Sequence, residues 1–175
     1  AYYLQQALEK DSLFAPALNR LASLYYRQGR MQESLVLLRR ALSLDAYDGE
    51  ANYLYGLCNR AQGHTADAKD GFSVASYAPA FRSAAFTALA EMSLKEADWK
   101  KAEHYALKSL DYNRMNLGAR QVLMVAYRKS GQRQKAEQQI EKVLADWPLY
   151  HFARYEKLCL DPSFEGMGRF TDLVR

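Results

Sequence analysis

The residues able to do chemistry on their own are few and scattered. His64, His104 and His151 have no carboxylate or cysteine at metal-ligand spacing, so a surface role is expected of them and no metal site. Cys58 and Cys159 have no neighbour in sequence that would lower a thiol pKa. Cys58 reads as a small buried hydrophobe and Cys159 as partly exposed. There is no Ser–His–Asp order, no G-x-S-x-G and no phosphate-binding loop. The 13 tyrosines read as packing and interface aromatics rather than as stacking platforms for bases. No catalytic residue and no cofactor is predicted, and the chain is not expected to be an enzyme.

One kind of charged residue does recur at a regular interval: Arg27, Arg60, Lys95, and Arg128 with Lys129. Such a ladder could grip acidic groups or the C-terminal carboxylate of a peptide. Cations in the last turn of a helix also offset its dipole, and we give this plainer reading more weight.

The interval belongs to the elements that carry these residues. Ala15–Asp48 reads as helix, tight turn, helix, and sliding the chain by 34 residues aligns it with Gly49–Arg82, Ser83–Asn116 and Leu117–Tyr150 without insertion or deletion. A fixed period of this length marks a stacked array of helical hairpins, in which each unit packs only on its neighbours. One column is alanine in five copies: Ala17, Ala51, Ala85, Ala119 and Ala153. It predicts a place where backbones approach too closely for a larger side chain. Beside it, Leu21, Tyr55, Leu89 and Leu123 supply bulk, and Ala22, Gly56, Ala90 and Met124 are mostly small. Second helices carry Ser34, Ala68, Ala102 and Ala136, then Leu38, Phe72, Ala106 and Ile140, then Ala41, Ala75, Ser109 and Val143 as their buried positions.

Turns are expected at Gly29, Gly63, Ala97 and Gly131. Glycine there closes a helix in the left-handed conformation. Ala97 breaks the pattern, so its turn is expected to be tighter or differently closed, with Trp99 plugging the junction. Pro79 predicts a helix end near Tyr77. Residues 1–14 read as the second helix of an earlier repeat. Residues 151–175 read as a degenerate, truncated fifth repeat, with Lys157 at the bulky position, Asp161–Pro162 as a capping pair and the start of a second helix in 169–175. Leu4, Leu8 and the face around Leu158 are expected to show apolar surface at the two ends.

At 49% hydrophobic and 25% charged, the composition excludes wholesale disorder. Lys+Arg number 24 against 20 Asp+Glu, a net charge of +4 too dilute to predict a nucleic-acid partner. No apolar run approaches the roughly 20 residues that span a bilayer, and no signal peptide opens the sequence, so no membrane partner is expected and a soluble, cytoplasmic chain is the default. The opening AYYLQQALEK reads as the middle of a helix, as in a piece of something longer. Two cysteines about three repeats apart in a rod-like array cannot form a disulfide.

The stretches LASLYYRQGRMQESLVLLRRAL in Leu21–Leu42 and LMVAYRKSGQRQKAEQQIEKVLADWP in Leu123–Pro148 resemble the tetratricopeptide repeat, a 34-residue helix–turn–helix unit. Asn59 and Ser93 depart from its aromatic position, and Ala46, Ala80 and Arg114 from its usual proline. The closing HFARYEKL is similar to the end of long bacterial multidomain proteins that carry such repeats. The resemblance implies an all-α fold, a right-handed superhelix (α-solenoid) of antiparallel helix pairs, with a concave groove lined by the first helices and a role as a protein–protein interaction scaffold.

Helical geometry selects the groove residues on its own, because positions three, seven and ten beyond the second residue of each unit share one face. They are Asn19, Ser23 and Tyr26; Tyr53, Leu57 and Arg60; Thr87, Glu91 and Leu94; Gln121, Val125 and Arg128; and Tyr155. This mixed face suits a peptide or protein segment. The Lys and Asn of the two-carboxylate clamp in chaperone-binding members are missing near Asn19, Ser23, Tyr53 and Leu57. Two alternatives stand beside the groove: self-association through uncapped ends as a structural module of a larger protein, and, against the weak net charge, RNA binding.

Overall fold

The computed structural model describes residues 2–161, among which there are ten α-helices and no strand. The first, α1 (Tyr2–Lys10), stands alone. Four successive pairs follow: α2 and α3 (Ala15–Arg27, Met31–Leu44), α4 and α5 (Gly49–Ala61, Thr65–Ala75), α6 and α7 (Arg82–Lys95, Trp99–Tyr112), and α8 and α9 (Leu117–Lys129, Arg133–Asp146). The last helix is α10 (His151–Cys159). The expected features from Pro162 onward lie outside the described residues.

Every helix pair is joined by a three-residue turn whose middle residue is left-handed. Gly29, Gly63 and Gly131 have φ of 76°, 80° and 75°, and Ala97 has φ of 58°. The expectation of a different closure at Ala97 is therefore corrected: its turn repeats the pattern, with Asp98 N–H donating to the Ser93 carbonyl at 3.0 Å as Arg30 N–H does to Tyr25 at 2.9 Å. The hydrogen bonds that close the turn hold the alanine in a conformation that disfavours its Cβ.

The chain divides into two compact units, with the boundary inside α6: the first runs through Leu89 and the second begins at Ala90. In the first unit Ala17, Ala51 and Ala85 are buried at the expected close crossings. Leu18, Leu21, Leu35, Leu38, Leu54 and Cys58 form one apolar cluster. Burying one such leucine contributes roughly 1.5–3 kcal/mol, so a handful fixes the stacking. Leu4 and Leu8 are half-buried against this cluster, so the apolar surface expected of them is partly covered, and Tyr2 and Tyr3 are the exposed aromatics of α1. The tightest crossing is that of α4 and α5. A Cβ on Gly71 would come within 2.8 Å of the Asn52 carbonyl oxygen, and one on Gly56 within 2.7 Å of the Phe72 ring. Helix α5 ends at Ala75, two residues before the expected place, and the segment to Phe81 continues in turns.

In the second unit Ala119 and Ala153 are buried, and Ala90, Ala102, Ala106, Leu123, Ala126, Tyr127 and Ala136 form its main cluster. A further cluster of Met124, Ile140, Val143 and Ala153 continues towards α10. Trp99 is half-buried at the start of α7, beside Ala97 and the next turn at Ser130 and Gln132.

Segments between repeats are built by side chains. Asp11, Asp45 and Asn113 each accept the N–H of the residue two places on, Leu13, Tyr47 and Met115, at 3.0, 2.8 and 3.1 Å. These Asx turns leave Leu13, Tyr47 and Met115 exposed, as Leu149 is in the same column. Asp48 and Asn116 then cap the helices that follow, as Asp98 caps α7 inside the third pair.

Candidate functional site

On the first unit, the expected face separates into a spent and an available part. Asn19 is buried and its Nδ2 donates to Asp48 Oδ2 at 2.7 Å, while the other Asp48 oxygen caps the Ala51 N–H at 3.0 Å. Asn19 thus ties α2 to the start of α4. Thr87 is also buried, its hydroxyl donating to the Ser83 carbonyl one turn back at 3.0 Å. Tyr26 and Leu57 are half-buried and back onto the apolar cluster. Tyr53 is held by rings, its centroid 5.6 Å from those of both Phe72 and Phe81. Arg60 places its guanidinium 5.5 Å from the Phe72 centroid. Ser23 is half-buried on the same face. What this unit offers is anchored aromatic and aliphatic surface with a hydroxyl and a cation at its edges.

On the second unit the polar residues are drawn into ties between first helices. Gln121 donates through Nε2 to the Tyr150 hydroxyl, just before α10. Arg128 makes a bidentate pair with Glu156 on α10, Nε to Oε2 at 2.7 Å and Nη2 to Oε1 at 3.1 Å. Glu156 is 2% exposed, and its hydrogen bonds raise the Arg128 pKa further above its usual value. Burial pushes Tyr127, behind the face, up to about 12, helped by the charge of Glu103. Leu94 packs on the main cluster, Val125 and Glu91 are half-buried, and Tyr155 is exposed. The Tyr155 hydroxyl bonds the Cys159 thiol one turn on, which raises the tyrosine pKa.

Glu156 is the residue that the sequence reading missed. In the three repeats before it the column holds Leu54, Ala88 and Val122, all buried, with the exposed Arg20 heading it, so a carboxylate after three buried apolar residues was the available signal. The cationic ladder stands in last turns of helices, as the dipole reading has it. Arg27, Lys95 and Lys129 are exposed there, whereas Arg128 is committed to Glu156. Cys58 is fully buried and donates towards Ser34 Oγ at 3.3 Å; burial raises its thiol pKa, so no activated nucleophile arises. Among the described residues no three His, Cys, Asp or Glu side chains gather as metal ligands, and no helix is long and apolar enough to cross a membrane.

Compared with known proteins, the chain matches the tetratricopeptide repeat family over residues 15–44. No curated protein matches it in sequence. Among solved structures it is similar to YrrB, described as a TPR protein with an unusual peptide-binding site: 22% identity over 90% of this chain and 81% of that one, with a TM-score of 0.78. It is also similar to pilF of Pseudomonas aeruginosa, at 24% identity over 93% of this chain and 74% of that one, with a TM-score of 0.81. PilW, a widely conserved type IV pilus biogenesis factor, matches at 21% identity over 87% and 71%, with a TM-score of 0.74. At such identities the likeness is one of fold.

Proposed function

We propose that the chain is a tetratricopeptide-repeat array, of a family of protein–protein interaction modules, and that it binds a peptide or protein segment along the inner face of its first unit. The observation that carries this is the set Ser23, Tyr26, Tyr53 and Leu57: accessible side chains, three of them large, each of those three backed by the core or by rings and so costing little entropy to hold in place. Aromatic and aliphatic anchors of this kind dominate peptide recognition. The occupant would bring apolar side chains at its centre, with an acidic group towards Arg27 and Arg60.

The test is selection of peptides from a displayed library on the full chain, followed by affinity measurement on Tyr53→Ala and Leu57→Glu variants that keep the wild-type circular dichroism. Each is expected to weaken the selected peptide by roughly tenfold or more. Unchanged affinity in both would remove the proposed face.

A second reading, assembly of copies or attachment to another part of a larger protein, is favoured by the exposed apolar residues Leu13 and Tyr47 of the first unit. Light scattering of the same preparations over a concentration series separates the two, since assembly raises the mass with concentration.

A further inference from the structure

A cleft of about 330 Å³ lies in the second unit between α7 and α9, with α8 as its floor. Leu107 and Leu110 of α7, Leu123 of α8 and Gln139 of α9 wall it, and Arg114, Arg120 and Lys142 stand along it. Among the described residues no carboxylate lines it. Three of these side chains break their columns. Leu107 is 43% exposed where the other repeats hold Arg39, Ser73 and Glu141. Gln139 puts an amide where they hold Leu37, Gly71 and Tyr105. Arg114 stands where they hold Ala46, Ala80 and Pro148. Stacking of the repeats asks for none of this: an apolar tip in a polar column, an amide in a largely apolar one, a cation in place of alanine or proline. All three departures meet in one cleft.

We propose that this cleft binds an acidic peptide segment in which an apolar residue precedes an aspartate or glutamate. Gln139 Nε2 is covered and has no acceptor among the described residues. An unmet buried donor is costly, and a peptide carbonyl supplies the acceptor once this half-buried side chain turns towards it. Leu107, Leu110 and Leu123 give the apolar side chain a place out of water. Arg114 and Lys142 are exposed and pair with no carboxylate among the described residues, so both are open to that of the peptide. Arg120 holds the backbone at this end: its Nε and Nη2 donate to the Arg114 carbonyl at 3.1 and 2.9 Å. Asp146, 4.0 Å from Arg120, already draws on its charge. A nucleic acid fits less well, since its backbone asks for cations along a whole path, whereas leucines make up much of this wall. The cleft shares no residue with the inner face proposed above.

Titration of the capped peptide acetyl-Ser-Leu-Glu-Ser-amide into the isotope-labelled full chain, followed by backbone amide shifts, tests the site. Saturating shifts are expected at residues 107–114 and 139–142. Replacing the peptide's glutamate by glutamine, or its leucine by serine, should weaken binding by about fivefold. On the protein, Arg114→Glu should weaken it by about tenfold and Leu107→Ser by about threefold, both at exposed positions where the fold is kept. Absence of shifts in the two stretches overturns the proposal, and so does equal binding of the glutamine peptide. Equal shifts with inorganic phosphate alone would mark an unselective anion site and overturn it as well. Shifts confined to the amides around Tyr53 and Leu57 would overturn it while leaving the first-unit face standing.

Discussion

The inner faces of the two units use one pair of positions in opposite ways. In the first unit the pair is Tyr26 and Leu54, both in the apolar cluster. Three periods on, in the second unit, it is Arg128 and Glu156, a bidentate ion pair between α8 and α10. The alanine columns that set the spacing of the helices are buried in both. The difference teaches that backbone approach at the small residues fixes the hairpins, so the residues between first helices vary between hydrocarbon and charge without disturbing the stack. It also separates roles: hydrocarbon left half-exposed can receive a partner, whereas a carboxylate satisfied by its own neighbour has nothing left to offer one.

The comparison is tested hardest at Arg128. Arg128→Ala strands a buried carboxylate and is expected to cost about 3 kcal/mol or more, whereas Arg60→Ala, on the same face of the first unit, should cost under about 1 kcal/mol. Urea unfolding of both variants gives the two numbers. Replacing both partners, Arg128→Leu with Glu156→Leu, should recover most of the loss, because the corresponding pair in the first unit, Tyr26 and Leu54, packs in the apolar cluster. Equal losses at Arg60 and Arg128 would dissolve the contrast.

A smaller effect sharpens it from the packing side. Alanine is ordinarily the better helix former by about 1 kcal/mol over glycine. At Gly71, however, the new methyl would meet backbone atoms of Asn52 and Gly56 at 2.8 and 2.9 Å, which cannot swing aside. Gly71→Ala is expected to destabilise the first unit by roughly 1–3 kcal/mol, read as a lower urea midpoint. The matching position of the second unit already holds Tyr105, half-buried, so the close crossing belongs to the first unit. Smallest is the turn strain of the second unit: Ala97→Gly should raise stability by about 1 kcal/mol, and Gly29→Ala should lower it by a similar amount, even though space is open around the new Cβ. A melting-temperature comparison of the two variants suffices.

How much of this could be read from residues alone follows the range of each interaction. The alanine and leucine columns were legible because a period of 34 repeats the same steric demand several times over. The left-handed Ala97 was not, since propensity at one residue was outweighed by the hydrogen bonds that close the turn. That Leu4 and Leu8 are partly covered was not legible, because the contact from α2 depends on how two helices rotate against each other. Asn19, Gln121 and Arg128 were selected by their shared helical face. Their partners Asp48, Tyr150 and Glu156 lie 28 or 29 residues away, at the end of the same repeat or just beyond it, where facial geometry within one helix has no reach.

The Asx turns between repeats carry a last consequence. At Leu13, Tyr47 and Met115 the backbone N–H is already taken by the carboxylate or amide two residues earlier. Those apolar tips have side chains to offer but no amide donor, so nothing can add to them in the manner of an extra strand. Whatever settles there is held by water exclusion and dispersion, and its grip should be nearly indifferent to ionic strength while weakening in the cold.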